Sequence, residues 1–224
     1  PLWSTMPSTP PFPSNFTILG INTMTANKTL ITALGIITAS LMANPAQALD
    51  AASLYKERTC IACHGAEGRV PAMDEYPKIA GQTAPYMLAQ MKDIKNGSRA
   101  SSHSAAMRNV MHMTNDEEMA ILVEWLSGLP EGASASATTE DAAEDGAQLY
   151  LTKACASCHG ADGRTPLTPV FPKVAGQNAG YIFNQLRDTK NGSRNNGQTG
   201  VMKGIIANVT EVEMRTIANW LSTQ

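Results

Sequence analysis

The chain has 224 residues, with 17 basic and 19 acidic side chains, a net charge of −2 and only 5% aromatic residues. This balance, with no basic cluster and no interleaved aromatics, excludes a nucleic-acid-binding surface. All 4 cysteines lie in two short motifs, which leaves none for a structural disulfide or a separate metal site.

The first 48 residues carry one charge, Lys28. Residues 30–42 are mostly apolar and match the hydrophobic region of a signal peptide, and Ala46-Gln47-Ala48 supplies small residues at a cleavage site. The run is short for a transmembrane helix; an uncleaved anchor is the alternative. Met24 is the natural initiator, and residues 1–23, rich in Pro, Ser and Thr, are set aside as an upstream extension. The expected organisation is extension plus signal peptide over 1–48, one domain over 49–128, a linker over 129–141 and a second domain over 142–224.

In the first domain a helix is expected from about residue 51 into Cys60-Ile61-Ala62-Cys63-His64. A Pro-containing loop follows, with Pro71 seven residues past His64. Helices are then expected over about 84–95 and 115–127. Asn96-Gly97 is a stop signal for the first of these, and Thr114-x-x-Glu117 resembles a capping box before the second. Residues 129–140 are small and polar and read as an exposed linker. The second domain repeats the scheme with helices over about 142–156, 179–190 and 211–222, the motif Cys155-Ala156-Ser157-Cys158-His159, the stop Asn191-Gly192 and the box Thr210-x-x-Glu213. No alternating strand pattern competes, so the fold class is all-α.

The two halves align without a gap at an offset of 95. Pro77-Lys78-Ile79-Ala80-Gly81-Gln82 falls on Pro172-Lys173-Val174-Ala175-Gly176-Gln177, Lys95-Asn96-Gly97-Ser98-Arg99 on Lys190-Asn191-Gly192-Ser193-Arg194, and Trp125 on Trp220. A repeat of this size is a duplicated domain, not a solenoid. Each half, at about 80 residues, is small for a self-sufficient apolar core, and a large flat apolar cofactor at its centre resolves that difficulty.

Cys-x-x-Cys-His is the attachment signature of c-type haem. Two thiols bond the haem vinyl groups and the adjacent His ligates iron from one face. A redox dithiol would need a βαβ surround, and pooling the cysteines into a zinc site would leave His64 and His159 unexplained. The iron needs a ligand on its other face. Met202 lies 43 residues after His159, and Met107 lies 43 after His64; thioether ligation there gives a six-coordinate site and raises the potential. Met111 and Met113 are the fallbacks in the first domain. His103 and His112 admit a bis-His alternative, but neither has a counterpart in the second half. A carbonyl of the Pro-containing loop is the expected acceptor for the other ring N–H of each His; otherwise Pro71 and Pro166 only shape the turn. Trp125 and Trp220 are expected to pack on the first helix of each domain.

Both Cys-x-x-Cys-His-Gly motifs, the repeated Pro-Lys-x-Ala-Gly-Gln stretch and the repeated Asn-Gly-Ser-Arg make the chain resemble the diheme cytochrome c4 family, over residues 50–224. The resemblance implies two tandem class I cytochrome c domains, each a small helical bundle around a covalent haem c. It puts thioethers on Cys60, Cys63, Cys155 and Cys158, and axial ligands on His64, Met107, His159 and Met202. It also implies a periplasmic electron carrier, often membrane-associated, that passes electrons towards a terminal oxidase in a respiratory chain. Its partners would be redox proteins: an oxidase, a quinol-oxidising complex or a dehydrogenase.

Residues 50–128 carry 8 basic and 10 acidic side chains, whereas 146–224 carry 8 basic and 4 acidic. This asymmetry predicts different partners, or different faces of one partner, for the two domains. The expected activity is outer-sphere electron transfer without catalysis. Two further readings stand beside it: the diheme subunit of a periplasmic dehydrogenase, such as a flavocytochrome-type sulfide oxidiser, and a haem enzyme or ligand sensor with an open sixth position.

Overall fold

The computed structural model describes residues 50–101, 103–135 and 140–224; the expected extension and signal peptide, and residues 136–139 of the expected linker, lie outside them. The helices are α1 (Ala51–Glu57), α2 (Cys60–His64), α3 (Ala84–Asn96), α4 (Ser104–His112), α5 (Asp116–Gly128), α6 (Glu140–Thr152), α7 (Ala156–His159), α8 (Ala179–Asn191), α9 (Thr199–Ile206) and α10 (Glu211–Ser222). Among the described residues there is no strand, and no helix is long and apolar enough to cross a membrane.

Each domain begins with a broken helix rather than the continuous one expected. Thr59 (φ 58°) separates α1 from α2, and Ala154 (φ 61°) separates α6 from α7. A non-glycine residue in the left-handed region costs about 1–2 kcal/mol and persists only where its surroundings hold it. The middle helices α3 and α8 stop as expected, at Gly97 (φ 86°) and Gly192 (φ 84°). The capping box of α10 is Thr210 with Glu213, as read from the sequence. That of α5 is one residue later than expected, Asn115 with Glu118. Thr114 is instead buried, its hydroxyl donating to the Val110 carbonyl. The repeat offset pairs Asn115, not Thr114, with Thr210, so the cap does follow the repeat.

Two helices were not expected, α4 and α9. They are only 9 and 8 residues long, and α9 contains Gly200 and Gly204. The intrinsic propensity of α9 is weak, whereas α4 holds good formers in Ala105, Ala106, Met107 and Arg108; both are too short to stand alone, and packing on α3 and α8 respectively positions them.

In the first domain α5 packs on α1 and α3, and in the second α10 packs on α6 and α8. The two cores correspond position by position: Tyr55 with Tyr150, Met87 with Ile182, Met119 with Met214, Leu122 with Ile217 and Leu126 with Leu221, all buried. Trp125 stacks at a tilt on Tyr55 (5.4 Å between centroids) and Trp220 on Tyr150 (5.0 Å), so both tryptophans do pack on the first helix of their domain. Gly146 on α6 lets α10 approach closely: a Cβ there would lie 2.2 Å from Trp220 Cβ.

The domains dock through reciprocal bonds. Gln82 Nε2 donates to the Lys173 carbonyl and its Oε1 accepts from the Lys173 N–H, both at 2.9 Å. Gln177 does the same to Lys78, both at 2.8 Å. The start of the expected linker is also tied down. Glu131 pairs with Arg164 and with Lys173 (3.1 Å), and the Ala135 N–H donates to the Ser222 carbonyl (2.8 Å).

Candidate functional site

The break before α2 turns Cys60, Cys63 and His64 towards one cavity, and the break before α7 does the same for Cys155, Cys158 and His159. The cavity has a volume of about 510 Å³ and runs through both domains. Helices α4 and α9 bring Met107 and Met202 to the same space. All eight side chains singled out in the sequence therefore line one cavity. Its walls are otherwise mostly apolar, from Ile79, Leu122 and Leu126 in the first domain and Val174, Ile217 and Leu221 in the second.

The histidines are fixed in orientation. His64 Nδ1 lies 2.9 Å from the Pro77 carbonyl and His159 Nδ1 lies 2.9 Å from the Pro172 carbonyl. The acceptor is thus a proline carbonyl of the loop, but 13 residues past the His. Pro71 and Pro166 shape the turn, where the Ala72 and Leu167 N–H groups bond the Cys63 and Cys158 carbonyls, both at 3.0 Å. With Nδ1 committed to a carbonyl, Nε2 is the nitrogen left for a metal. Burial holds both imidazoles below their ordinary pKa, against the opposing pull of the proline carbonyls, so they stay neutral as a ligand must be. Burial pushes the Cys60 and Cys155 thiols up to about 11, which does not suit a reactive dithiol. Among the described residues no cluster of three or more His, Cys, Asp or Glu is placed to hold a metal ion, so the pooled zinc site is not assembled.

The methionines separate by position. Met111 also reaches the cavity but is fully buried in a cluster with Ile94 and Met119, and its repeat counterpart is Ile206, which cannot ligate. Met113 is 58% exposed. His112 is exposed, whereas His103 lies at the cavity edge with its ring 6.0 Å from that of Tyr76.

Several residues around this site were not singled out as functional in the sequence. Pro77, Pro172, Gln82 and Gln177 sit in the repeated Pro-Lys-x-Ala-Gly-Gln stretch, and Arg99 and Arg194 end the repeated Asn-Gly-Ser-Arg. Identity of both copies at positions that carry no thiol, imidazole or thioether was the available signal. The Arg99 Nε is buried with no hydrogen-bond partner. A buried guanidinium beside neutral imidazoles, thiols and apolar walls fits a flat apolar group that carries both a metal and carboxylates.

Comparison with known proteins agrees with this chemistry. The sequence profile of the cytochrome c family matches residues 48–130 and again 143–224. Cytochrome c4 of Azotobacter vinelandii is 30% identical over 209 residues, covering 87% of this chain and 98% of that protein. A thiosulfate dehydrogenase electron acceptor of Thiomonas intermedia is 31% identical over 199 residues, covering 85% and 90%. Among solved structures, cytochrome c4 of Acidithiobacillus ferrooxidans superposes with a TM-score of 0.66 at 31% identity, over 74% of this chain and 98% of that one.

Proposed function

This chain belongs to the cytochrome c family, as a two-domain member of the cytochrome c4 type with two covalently attached haem c groups, and we propose from that premise that it is a periplasmic carrier of single electrons between redox proteins. The observation that carries this reading is the shared cavity, where each domain gathers two thiols, an oriented neutral imidazole and a thioether. We assign the thioether links to Cys60, Cys63, Cys155 and Cys158, and the iron ligands to His64 with Met107 and His159 with Met202.

When bound, the haem supplies an iron that gains and loses one electron. The protein's part is to hold the ligands still and keep water out. The Pro77 and Pro172 carbonyls fix the rotation of each imidazole. The Tyr55 and Tyr150 hydroxyls donate to the Gly65 and Gly160 carbonyls (2.9 and 2.7 Å), which steadies the turn after each motif. Ligands seated on packed helices rearrange little when charge changes, which keeps the barrier to electron transfer low. Ile61, Val70 and Met73 near the first motif, and Leu167 and Val170 near the second, are exposed apolar side chains suited to a brief contact with a redox partner. The opposite charge balance of the domains would steer different partners to each.

The signal-peptide pattern within residues 24–48 supports export, and a chain that carries electrons this way needs no general acid or base. Delivery to a terminal oxidase or another respiratory acceptor is the first reading. The second, acceptance of electrons from a dehydrogenase, is favoured by the relatives named thiosulfate dehydrogenase electron acceptor. A potentiometric titration of the holoprotein through its visible bands tests the core reading. Two one-electron steps at positive potential are expected. A low-potential step or a haem that stays high-spin would unseat a methionine assignment, Met107 first. Carbon monoxide binding to the reduced protein would favour an enzyme or sensor. Stopped-flow mixing with a reduced thiosulfate dehydrogenase and with an oxidised terminal oxidase separates the two partner readings by which reaction is fast.

A further inference from the structure

The interface between the domains buries two arginines that occupy the same repeat position, Arg99 and Arg194, each 7% exposed. They cross. Arg99 Nη2 reaches into the second domain, donating to Tyr181 Oη (3.2 Å) and Gln185 Oε1 (2.9 Å), while its Nη1 donates to Gln90 Oε1 (3.1 Å). Arg194 Nη2 reaches into the first domain, donating to Tyr86 Oη and Gln90 Oε1, both at 3.1 Å, while its Nη1 donates to Gln185 Oε1 (2.9 Å). Every one of these acceptors is neutral. The Asp93 carboxylate acts on Arg99 through space and takes its hydrogen bond from Asn196 (2.7 Å).

Two guanidiniums buried side by side repel each other, and a buried cation needs an anion to offset its lost hydration. The local potential is strongly positive. Burial alone would push the Tyr86 phenol up, yet Arg194 and Arg99 hold it below its ordinary value. Both arginines line the cavity that also receives His64 and His159, and Arg99 Nε is buried there unpartnered. A guanidinium fork matches a carboxylate better than any other anion-binding side chain, and haem c brings carboxylates of its own.

We propose that Arg99 and Arg194 form one shared anion site that takes propionate carboxylates of both haems, so that each guanidinium serves both redox centres. This rests on the two-haem reading above. Because each arginine contacts both domains, removing one charge is felt on both sides of the interface. Loss of a nearby cation favours the more positive ferric state, so each midpoint falls, with a change on the order of tenfold in each haem's reduction equilibrium.

The test uses the holoprotein with Arg99→Gln, Arg194→Gln and the conservative Arg99→Lys. Intact mass and haem absorbance first establish that two haems are attached; this depends on the cysteines, not the arginines. Wild-type protein with fewer than two haems would overturn the reading above and this proposal with it. With two haems in place, resonance Raman propionate bands and spectropotentiometric midpoints are compared. Each Gln variant is expected to shift the propionate bands and lower both midpoints, with Arg99→Lys in between. Unchanged bands and midpoints, or a shift confined to the haem of the substituted domain, would overturn the shared site alone. If a Gln variant does not fold, the same two outcomes are read from Arg99→Lys.

Discussion

Gln82→Ala is the sharpest test of how the domains are joined. The Gln82 side chain spans the interface with two hydrogen bonds to the backbone of Lys173, both at 2.9 Å, and is itself buried. Each such bond contributes about 0.5–1.5 kcal/mol net, and stranding a buried backbone group adds to the loss. The substitution should therefore weaken docking by about 2–3 kcal/mol, or roughly 30- to 150-fold in the opening equilibrium. Native-state hydrogen exchange reads this residue by residue. The Lys173 amide will exchange faster simply because its acceptor is gone. The informative reporter is the Lys78 amide, bonded at 2.8 Å to Gln177, whose side chain is untouched. Lys78 loses protection only when the domains separate, so its exchange should accelerate by the same factor. If the Lys173 amide speeds up while Lys78 keeps its protection, the glutamine bonds are local ties and do not hold the domains together.

Met107→Ala and Met202→Ala should each lower one haem midpoint and remove half of the iron–thioether charge-transfer absorption, whereas Met111→Leu, a change within the core, should leave both intact. Glu213, hydrogen-bonded by Lys153 and by the Thr210 N–H, is held down to about 2. Its contribution to stability is present above the unfolded value near 4.5 and lost as pH falls towards 2. Acid titration followed by circular dichroism should show this loss, and Glu213→Gln should flatten it. Gly146→Ala should lower the melting temperature despite its gain in helix propensity, because the new methyl meets Trp220 Cβ on α10. Overpacking of this kind costs about 1–3 kcal/mol, and a raised melting temperature would show that α6 and α10 can move apart freely.

Much of the site was legible because the repeat acts as an internal control. Met111 and Met107 are chemically equal candidates in isolation, but only Met107 has a methionine at the matching position, and Met111 turns out to fill the place of Ile206. The same control would have corrected the α5 cap, since Asn115 and not Thr114 matches Thr210. What stayed hidden were contacts made between copies. A duplicated sequence is equally consistent with two independent beads, and nothing local in Gln82 says that its partner lies 91 residues away in Lys173. Helices α4 and α9 were hidden for a different reason: they are 9 and 8 residues long, below the length at which a helix stands alone, and are held by packing on α3 and α8.

The contacts between the domains form an isologous interface inside one chain: Gln82 answers Gln177 and Arg99 answers Arg194. In such an arrangement every repeat position is used twice, and many differences between the copies, such as Met87 against Ile182, keep the same buried place. Two groups of differences, among those spread along the repeat, change hydrogen bonding or polarity near the interface. Asp74 grips the start of α8 through the Gly180 and Tyr181 N–H groups (2.6 and 3.0 Å), where its counterpart Pro169 offers only a carbonyl to Thr83 (2.7 Å). Around the methionine helices, Ser101, His103 and Met111 stand opposite Asn196, Gln198 and Ile206. Asn196 links Gln90 to Asp93 beside the crossed arginines (3.1 and 2.7 Å) through the two N–H donors of its amide, where its counterpart Ser101 carries a single O–H. The two halves of the cavity therefore differ in hydrogen bonding and polarity although the assigned ligand sets are the same, and a spectropotentiometric titration is expected to resolve two unequal midpoints, whereas coincident midpoints would show that Asn196, His103 and Met111 do not tune the sites.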